Sequence, residues 1–252
     1  MDMIEGFVSV ITPMYNADKY IGETIESVIA QTYMNWEMII VDDCSGDSCA
    51  DIVKQYCEKD NRVHYYRNES NSGVAMTRNR AISYAKGQYI AFLDSDDIWK
   101  PDKLEKQLQL MKDTGSSFCY GSCSVMNQDG QNMKKDRIVP VQIDYKKLLM
   151  GNVIPCLTVV IDRKQIPDIQ MPQIPHEDYA AWLSILRDYQ ITACGVTDIV
   201  ALYREGMGSV SSKKGQAAKW TFKIYRDYLG LSITESIWCF VNYVWNAVKK
   251  RI

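Results

Sequence analysis

Three stretches of this chain concentrate side chains that could do chemistry. The first is Asp94-Ser95-Asp96-Asp97, which follows the mostly apolar run Tyr89–Leu93 and precedes Ile98, Trp99 and a helix start at Pro101-Asp102. Three carboxylates at the mouth of a buried strand are costly unless something positive sits among them. A divalent cation would answer that need, and an ordinary acidic turn before a helix is the alternative. Mg2+ and Mn2+ take oxygen ligands, and one or two carboxylates suffice when phosphates and water complete the shell. The second stretch is Asp42-Asp43, at the end of the apolar run Trp36–Val41. It equally suits a turn and the cap of the helix beyond it. The third is His176-Glu177-Asp178, acids where a helix dipole favours them. Arg78 and Arg80 add positive charge, but two residues apart they point to different sides of a helix. An arginine fork suits phosphate, and it equally suits a surface ion pair.

The elements around these residues can be read from the apolar pattern. Phe7–Pro13, Trp36–Val41, Val63–Arg67 and Tyr89–Leu93 read as strands rich in β-branched and aromatic residues. Between them, Ile21, Ile25, Val28 and Ile29 mark a helix over 17–31, and Ile52, Val53, Tyr56 and Cys57 another from about Ser48. Val74–Ala85 reads as a third, closing at Lys86-Gly87. Strands alternating with helices predict an α/β fold with a mainly parallel sheet. Ligands of such sheets gather at the carboxyl ends of the strands. Thr12-Pro13, Asp42-Asp43 and Asp94-Ser95-Asp96 would then share one rim.

After Met111 the pattern changes. Ser117–Met126 reads as a strand with a hairpin turn at Asn127-Gln128-Asp129-Gly130, and 132–143 as irregular. Asp144–Met150 reads as a short helix, and Val153–Ile161 as a strand bent at Pro155. A proline-rich loop fills 164–175, and a helix over 176–188 turns Ala181, Trp182, Ile185 and Leu186 inward. Short strands follow at 191–193 and 200–203. No linker or repeat divides the chain. We expect one domain over 1–230, with a first half of about 1–115 and a second of about 116–230, and a separate helix over 231–252.

Bulk properties narrow the class. The 252 residues carry 29 basic and 31 acidic side chains, a net charge of -2, which gives nucleic acid no basic surface to bind. The eight cysteines form no Cys/His pairs at zinc spacing, so reduced thiols in a cytoplasmic protein are the expectation. The opening MDMIEGFVSVITP has acids and no basic run, unlike a secretion signal. No apolar run reaches the roughly 18 residues of a spanning helix. No G-x-G-x-x-G follows the first strand, against a dinucleotide-dependent oxidoreductase. The segment Pro13–Lys19 is not the glycine-rich basic loop that a sugar-phosphate nucleotidyltransferase would want.

The residues quoted above also fall into longer motifs. FVSVITPMYNADKYIGETIESVIAQTYMNWEMIIVDDCSGDS and SNSGVAMTRNRAISYAKGQYIAFLDSDDIWKPDKL resemble the first two motifs of the inverting family 2 glycosyltransferases of GT-A fold. His176-Glu177-Asp178-Tyr179-Ala180-Ala181-Trp182 resembles the third, an acidic pair a few residues before a tryptophan. Bacterial transferases of capsule, O-antigen or teichuronic acid assembly are the nearest in character.

The resemblance implies a UDP-sugar donor and a glycan or lipid-linked acceptor. Thr12, Pro13 and Tyr15 would line the base pocket, and Asp43 would accept from a base N–H. Asp94 and Ser95 would contact the ribose or the metal's water shell, and Asp96 would bind Mn2+ or Mg2+; Asp97 could be only a local cap. Arg78 would face the nucleotide. Asp178 would be the general base, with His176 as the neighbouring alternative. Glu177 would hydrogen-bond sugar hydroxyls. Trp182 would be a sugar-stacking platform or a core residue. Arg204 would contact the diphosphate from a closing loop over 203–211. A non-catalytic sugar-nucleotide-binding module remains the other reading.

The end of the chain is amphipathic. Ile233, Ile237, Phe240, Val241, Val244, Trp245 and Val248 recur at helical spacing, followed by Lys249-Lys250-Arg251. Such a helix packs on the body, self-associates, or lies on the cytoplasmic face of a membrane.

Overall fold

The computed structural model describes residues 3–205 and 214–249. A ten-stranded sheet forms the middle layer. In chain order its first half is β1 (Ile4–Met14), α1 (Ile21–Ile29), β2 (Trp36–Asp42), α2 (Cys49–Lys59), β3 (Val63–Arg67), α3 (Val74–Tyr84), β4 (Gly87–Phe92), β5 (Ile98–Trp99) and α4 (Lys103–Thr114). The second half adds β6 (Phe118–Met126), β7 (Asn132–Arg137), β8 (Gln142–Ile143), α5 (Tyr145–Leu149), β9 (Val160–Asp162), α6 (Glu177–Asp188), β10 (Ala193–Arg204), α7 (Lys214–Lys223) and α8 (Ile233–Lys249).

Strands β3, β2, β1 and β4 are parallel neighbours in that order. Every residue of β2 is buried, because both faces of the sheet are covered. Alternate side chains go to opposite layers. Ile11, Ile39, Val41 and Phe92 pack with α3 and α6. Val10, Met38, Ile40 and Leu93 pack with α1, α2 and α4. Continuous burial of this kind produces the unbroken apolar runs read from the sequence.

Beyond β4 the sheet becomes mixed. Strand β9 inserts antiparallel between β4 and β6, and β10 runs parallel to β6. Three expectations change here. The stretch 132–143 is not irregular: it supplies β7 on the edge of β6 and β8 on β10. The strand expected over 153–161 shrinks to β9, because Pro155 opens a 3-10 turn over Cys156–Thr158 that Thr158 Oγ1 closes on Pro155 O at 2.8 Å. The two short strands expected at 191–193 and 200–203 are one strand, β10, with its register shifted around Ile199. Its last residue, Arg204, thereby arrives beside the end of β4.

Candidate active site

The ends of β1, β2 and β4 and the start of α6 meet around two acidic turns. At the end of β2, Asp42 is fully buried and committed to the fold. Its Oδ1 accepts from Ser45 N and its Oδ2 from the Tyr65 hydroxyl, both at 2.8 Å, with Arg67 at 3.3 Å. Asp43 holds the next loop. Its Oδ1 accepts from Asn68 Nδ2 at 2.7 Å and Ser72 N at 2.8 Å, and its Oδ2 from Gly73 N at 2.8 Å. Gly73 reaches it with φ at +84°, a conformation costly for other residues. Burial alone would raise the Asp43 pKa, but the Ser72, Asn68 and Gly73 donors outweigh it and the net shift is downward. A carboxylate has about four acceptor sites, so roughly one remains for a ligand. Arg80 also turns to this loop, donating to Asn68 Oδ1 at 2.7 Å. Asn68, Ser72, Met76 and Arg80 border an open hollow of about 410 Å3.

Thr12 and Pro13 do not border that hollow. Both are buried, and the Thr12 hydroxyl has no partner, so neither shows a surface to a base in this state. Of the three residues expected to line a base pocket, Tyr15 alone is exposed, at 53%.

The turn after β4 is built differently. Asp94 Oδ1 accepts from Arg78 Nη2 at 2.5 Å. The other terminal nitrogen of Arg78 donates to Glu177 Oε1 on α6. The Arg78 side chain is only 6% exposed. Burial would lower its pKa, but Asp94 and Glu177 hold it well above the usual value, so the guanidinium stays charged. Asp97 is buried rather than capping a helix. Its Oδ1 accepts from Arg204 N at 2.7 Å and its Oδ2 has no partner. Burial, then Asp96 and Asp94, push its pKa well up. Asp96 is partly buried, and among the described residues no other residue donates to its carboxylate. Burial, then the nearby Asp94, raise its pKa to about 6.

These features fit a divalent cation. The turn holds more negative charge than its donors neutralise, and Asp96 leaves its acceptor sites open. No cluster of three or more potential ligands occurs among the described residues, so a cation here needs oxygens from a ligand and water. Ser95, between the two aspartates, is partly buried.

Arg204 was expected to reach toward a diphosphate, and the structure corrects this. It is 3% exposed and spends its guanidinium on the protein. Nε donates to Asp96 O at 2.7 Å, Nη1 to Gln128 O at 2.8 Å and Nη2 to Glu23 Oε2 at 2.6 Å, with the plane over Tyr20. It therefore pins the main chain of the acidic turn. Most of the expected closing loop over 203–211, from 206 on, lies outside the described residues.

On α6, the Asp178 carboxylate accepts from Tyr179 N at 2.7 Å. Burial, then Glu177, raise its pKa to about 6. His176 precedes it with φ at +59° and its ring edge-on to Trp220 of α7. Burial lowers the His176 pKa. Of the two roles expected of Trp182, stacking on a sugar is corrected and the core role holds. Trp182 is 0% exposed and meets Phe92 and Phe118 edge-on at 5.3 and 5.4 Å, so it is a core residue with no face for a sugar. Its loss would cost about 3–5 kcal/mol of stability.

The sequence reading missed the Glu23–Arg204–Asp97 contacts and the bridge from Asp94 through Arg78 to Glu177. The only sequence signal for the bridge was that Arg78 and Arg80 had to diverge.

The family model for glycosyl transferase family 2 matches residues 9–163, more than half of the chain. The chain belongs to glycosyl transferase family 2. It is a glycosyltransferase, which sets aside the nucleotidyltransferase and the non-catalytic module. Over 246 residues it is 48% identical to a putative teichuronic acid biosynthesis glycosyltransferase, TuaG, of Bacillus subtilis, covering 97% of both chains. It is 38% identical over 249 residues to the Escherichia coli UDP-Glc:alpha-D-GlcNAc-diphosphoundecaprenol beta-1,3-glucosyltransferase WfgD, covering 99% of this chain and 96% of that one. The crystal structure of Staphylococcus aureus TarS 1-349 in complex with UDP-GlcNAc has the same fold, with a TM-score of 0.72 at 21% identity over 94% of this chain and 71% of that one. So does the mannosyltransferase PcManGT from Pyrobaculum calidifontis in complex with GDP-Man and Mn2+, at 0.70 and 16% over 94% and 72%. The fold of this glycosyltransferase is GT-A. The family match contains both acidic turns and Arg78, whereas Glu177, Asp178 and Arg204 lie beyond it and fall within the nearly full-length similarity to TuaG.

Proposed function

We propose that this glycosyltransferase moves a sugar from a UDP-sugar to a hydroxyl of a glycan or lipid-linked acceptor, with inversion, in the assembly of a cell-surface polysaccharide on the cytoplasmic side. The observation that carries this reading is the bridge Asp94–Arg78–Glu177. It ties the acidic turn at the donor side to the residue beside Asp178, fixing a candidate base against a candidate donor site. The names of TuaG and WfgD support the pathway and the class of donor and acceptor.

In this reading residues 1–115 hold the nucleotide and 116–230 the acceptor, with 231–252 as an appended helix. Asp43 offers its remaining acceptor site to the base, and Tyr15 stands at the rim. A bound Mn2+ or Mg2+ would be held by Asp96, with Asp94 and Ser95 beside it, and would neutralise charge on the departing diphosphate as a Lewis acid. Arg204 positions Asp96 through its main chain. Asp178 accepts the proton of the acceptor hydroxyl. That oxygen bonds to the anomeric carbon as the carbon–oxygen bond to UDP breaks, and UDP leaves with the electron pair. One displacement inverts the centre. A carboxylate with a pKa near 6 is ionised and still basic at neutral pH. Glu177 hydrogen-bonds sugar hydroxyls with the oxygen that Arg78 leaves open.

The test is UDP release from a panel of UDP-sugars and acceptors with and without Mn2+, followed by the anomeric configuration of the product by NMR. We expect inversion, a rate that rises with pH through about 6, and a loss of about 10^3-fold in Asp178→Asn. A retained anomeric configuration, or full turnover by Asp178→Asn, contradicts the reading.

A further inference from the structure

Helix α8 (Ile233–Lys249) presents one arc to the protein and another to the outside. On the inner arc, Ser236 and Cys239 are buried. Phe240 meets Phe222 of α7 edge-on at 5.6 Å, Tyr243 lies against Tyr179 with ring centroids 6.4 Å apart, and Asn246 Nδ2 donates to Met150 O at 3.0 Å. On the outer arc, Ile233, Ile237, Trp238, Val241, Val244 and Trp245 are each 41–60% exposed. Single exposed apolar residues are ordinary on a protein surface, whereas a continuous helical row of six marks a contact surface.

The charge in this part of the sequence is mostly positive: over 214–252 seven basic residues stand against Asp227 and Glu235. From 233 onward the charged residues are Glu235 at the start and Lys249, Lys250 and Arg251 at the end. On α7, which packs beside α8, Lys219 and Lys223 are exposed, and the helix holds no acid. Apolar residues with tryptophans, flanked by basic ones, match the layered chemistry of an anionic lipid surface. No helix among the described residues is long and apolar enough to cross a membrane, and α8, at 17 residues, suits lying in the plane of one. A second copy of the chain is a poorer occupant. One helix face of this length offers on the order of 400–600 Å2, short of the roughly 800 Å2 that each partner of a stable interface buries.

The inner arc gives the surface a purpose. Tyr243 touches Tyr179, the residue next to Asp178, and Trp220 of α7 touches His176 on its other side. The helix with the apolar outer row is thus seated on the acceptor side of the site. We propose that α8 lies on an anionic membrane surface and holds the mouth of the acceptor site at the lipid headgroups, where a lipid-linked hydroxyl would be presented. The purpose of this contact rests on the acceptor reading above; its existence does not.

The experiment is flotation of the full-length protein with phosphatidylcholine vesicles, with and without phosphatidylglycerol, and no donor or acceptor. The protein should float with the anionic vesicles, less with neutral ones and less at high salt, and its tryptophan emission should shift to the blue. The triple variant Ile237→Ser, Trp238→Ser, Val241→Ser should lose about tenfold or more of the floated fraction. It changes exposed residues only, so UDP release with a soluble acceptor should stay within about twofold of the parent. Failure to float on anionic vesicles, or equal flotation of the triple variant, overturns the proposal. So does light scattering that shows a dimer for the parent, a monomer for the triple variant and no vesicle binding by either. Flotation without UDP release on any substrate overturns the proposed function and leaves the membrane contact standing.

Discussion

Two acidic turns flank the same strand, and the protein treats them in opposite ways. Asp42-Asp43 closes β2 and Asp94–Asp97 follows β4, with β1 between them. The first is well supplied with donors: a serine N–H, a tyrosine and an arginine serve Asp42, and an asparagine and two main-chain N–H groups serve Asp43. Its Asp43 pKa moves down despite burial. The second is starved. One arginine serves Asp94, one N–H serves Asp97, and Asp96 has no donor from another described residue; burial, then the neighbouring carboxylates, push the Asp96 and Asp97 pKa values up. Both turns are acidic in the sequence, but only one is electrostatically finished by the protein. The first is built to hold a loop and the second to receive a positive charge.

The largest expected effect falls on the starved turn. Asp96→Asn should reduce turnover by about 10^3-fold, the scale of several kcal/mol of charge stabilisation, while circular dichroism stays native and the thermal transition falls no lower than the parent's. A variant that retained metal-dependent turnover would erase the functional half of the contrast. Next comes the well-supplied turn. Asp43→Asn strips three donors of their carboxylate and should cost about 2 kcal/mol of stability by urea denaturation. A cost no greater than that of an exposed substitution would show that Asp43 does not hold the 68–73 loop.

The smallest effect is the sharpest in sign. A carboxylate with a raised folded pKa favours the folded state below its unfolded value of 3.8, and that contribution is lost as pH rises through about 6. Asp43, whose folded pKa is lowered, contributes stability above 3.8 that is lost as pH falls below it. With a chelator present, Asp96→Asn should therefore be more stable than the parent at neutral pH by about 1 kcal/mol, and the gain should vanish near pH 4. Asp43→Asn should show the reverse, with its deficit shrinking toward acid pH. Parallel profiles for the two variants would collapse the comparison.

The first half of the fold was legible because it is built from local patterns. Fully buried parallel strands write continuous apolar runs, and the polar turns that end them mark the rim. Both acidic turns can be read that way, whereas Asp178 is singled out by the helix start at 176–188 and by the resemblance of its motif. What stayed hidden depends on partners far along the chain. Arg204 lies 108 residues from the Asp96 carbonyl it pins, and nothing near residue 204 shows that the side chain points inward. Arg78 lies 99 residues from Glu177. The helical spacing reads Trp182 as inward, but its partners Phe92 and Phe118 come from two strands far along the chain. Strand β9 was misjudged because Pro155 and the turn after it consume most of an apolar run that otherwise reads as one strand.

The central claim is that the turn after β4 is a cation site completed by a diphosphate. The most direct measurement is Mn2+ binding by electron paramagnetic resonance, with saturating UDP, to the parent and to Asp96→Asn at pH 7.5. The account predicts one bound Mn2+ per chain in the parent only when UDP is present, and a loss of affinity of about 100-fold or more in Asp96→Asn. Equal Mn2+ affinity in the two proteins would contradict it.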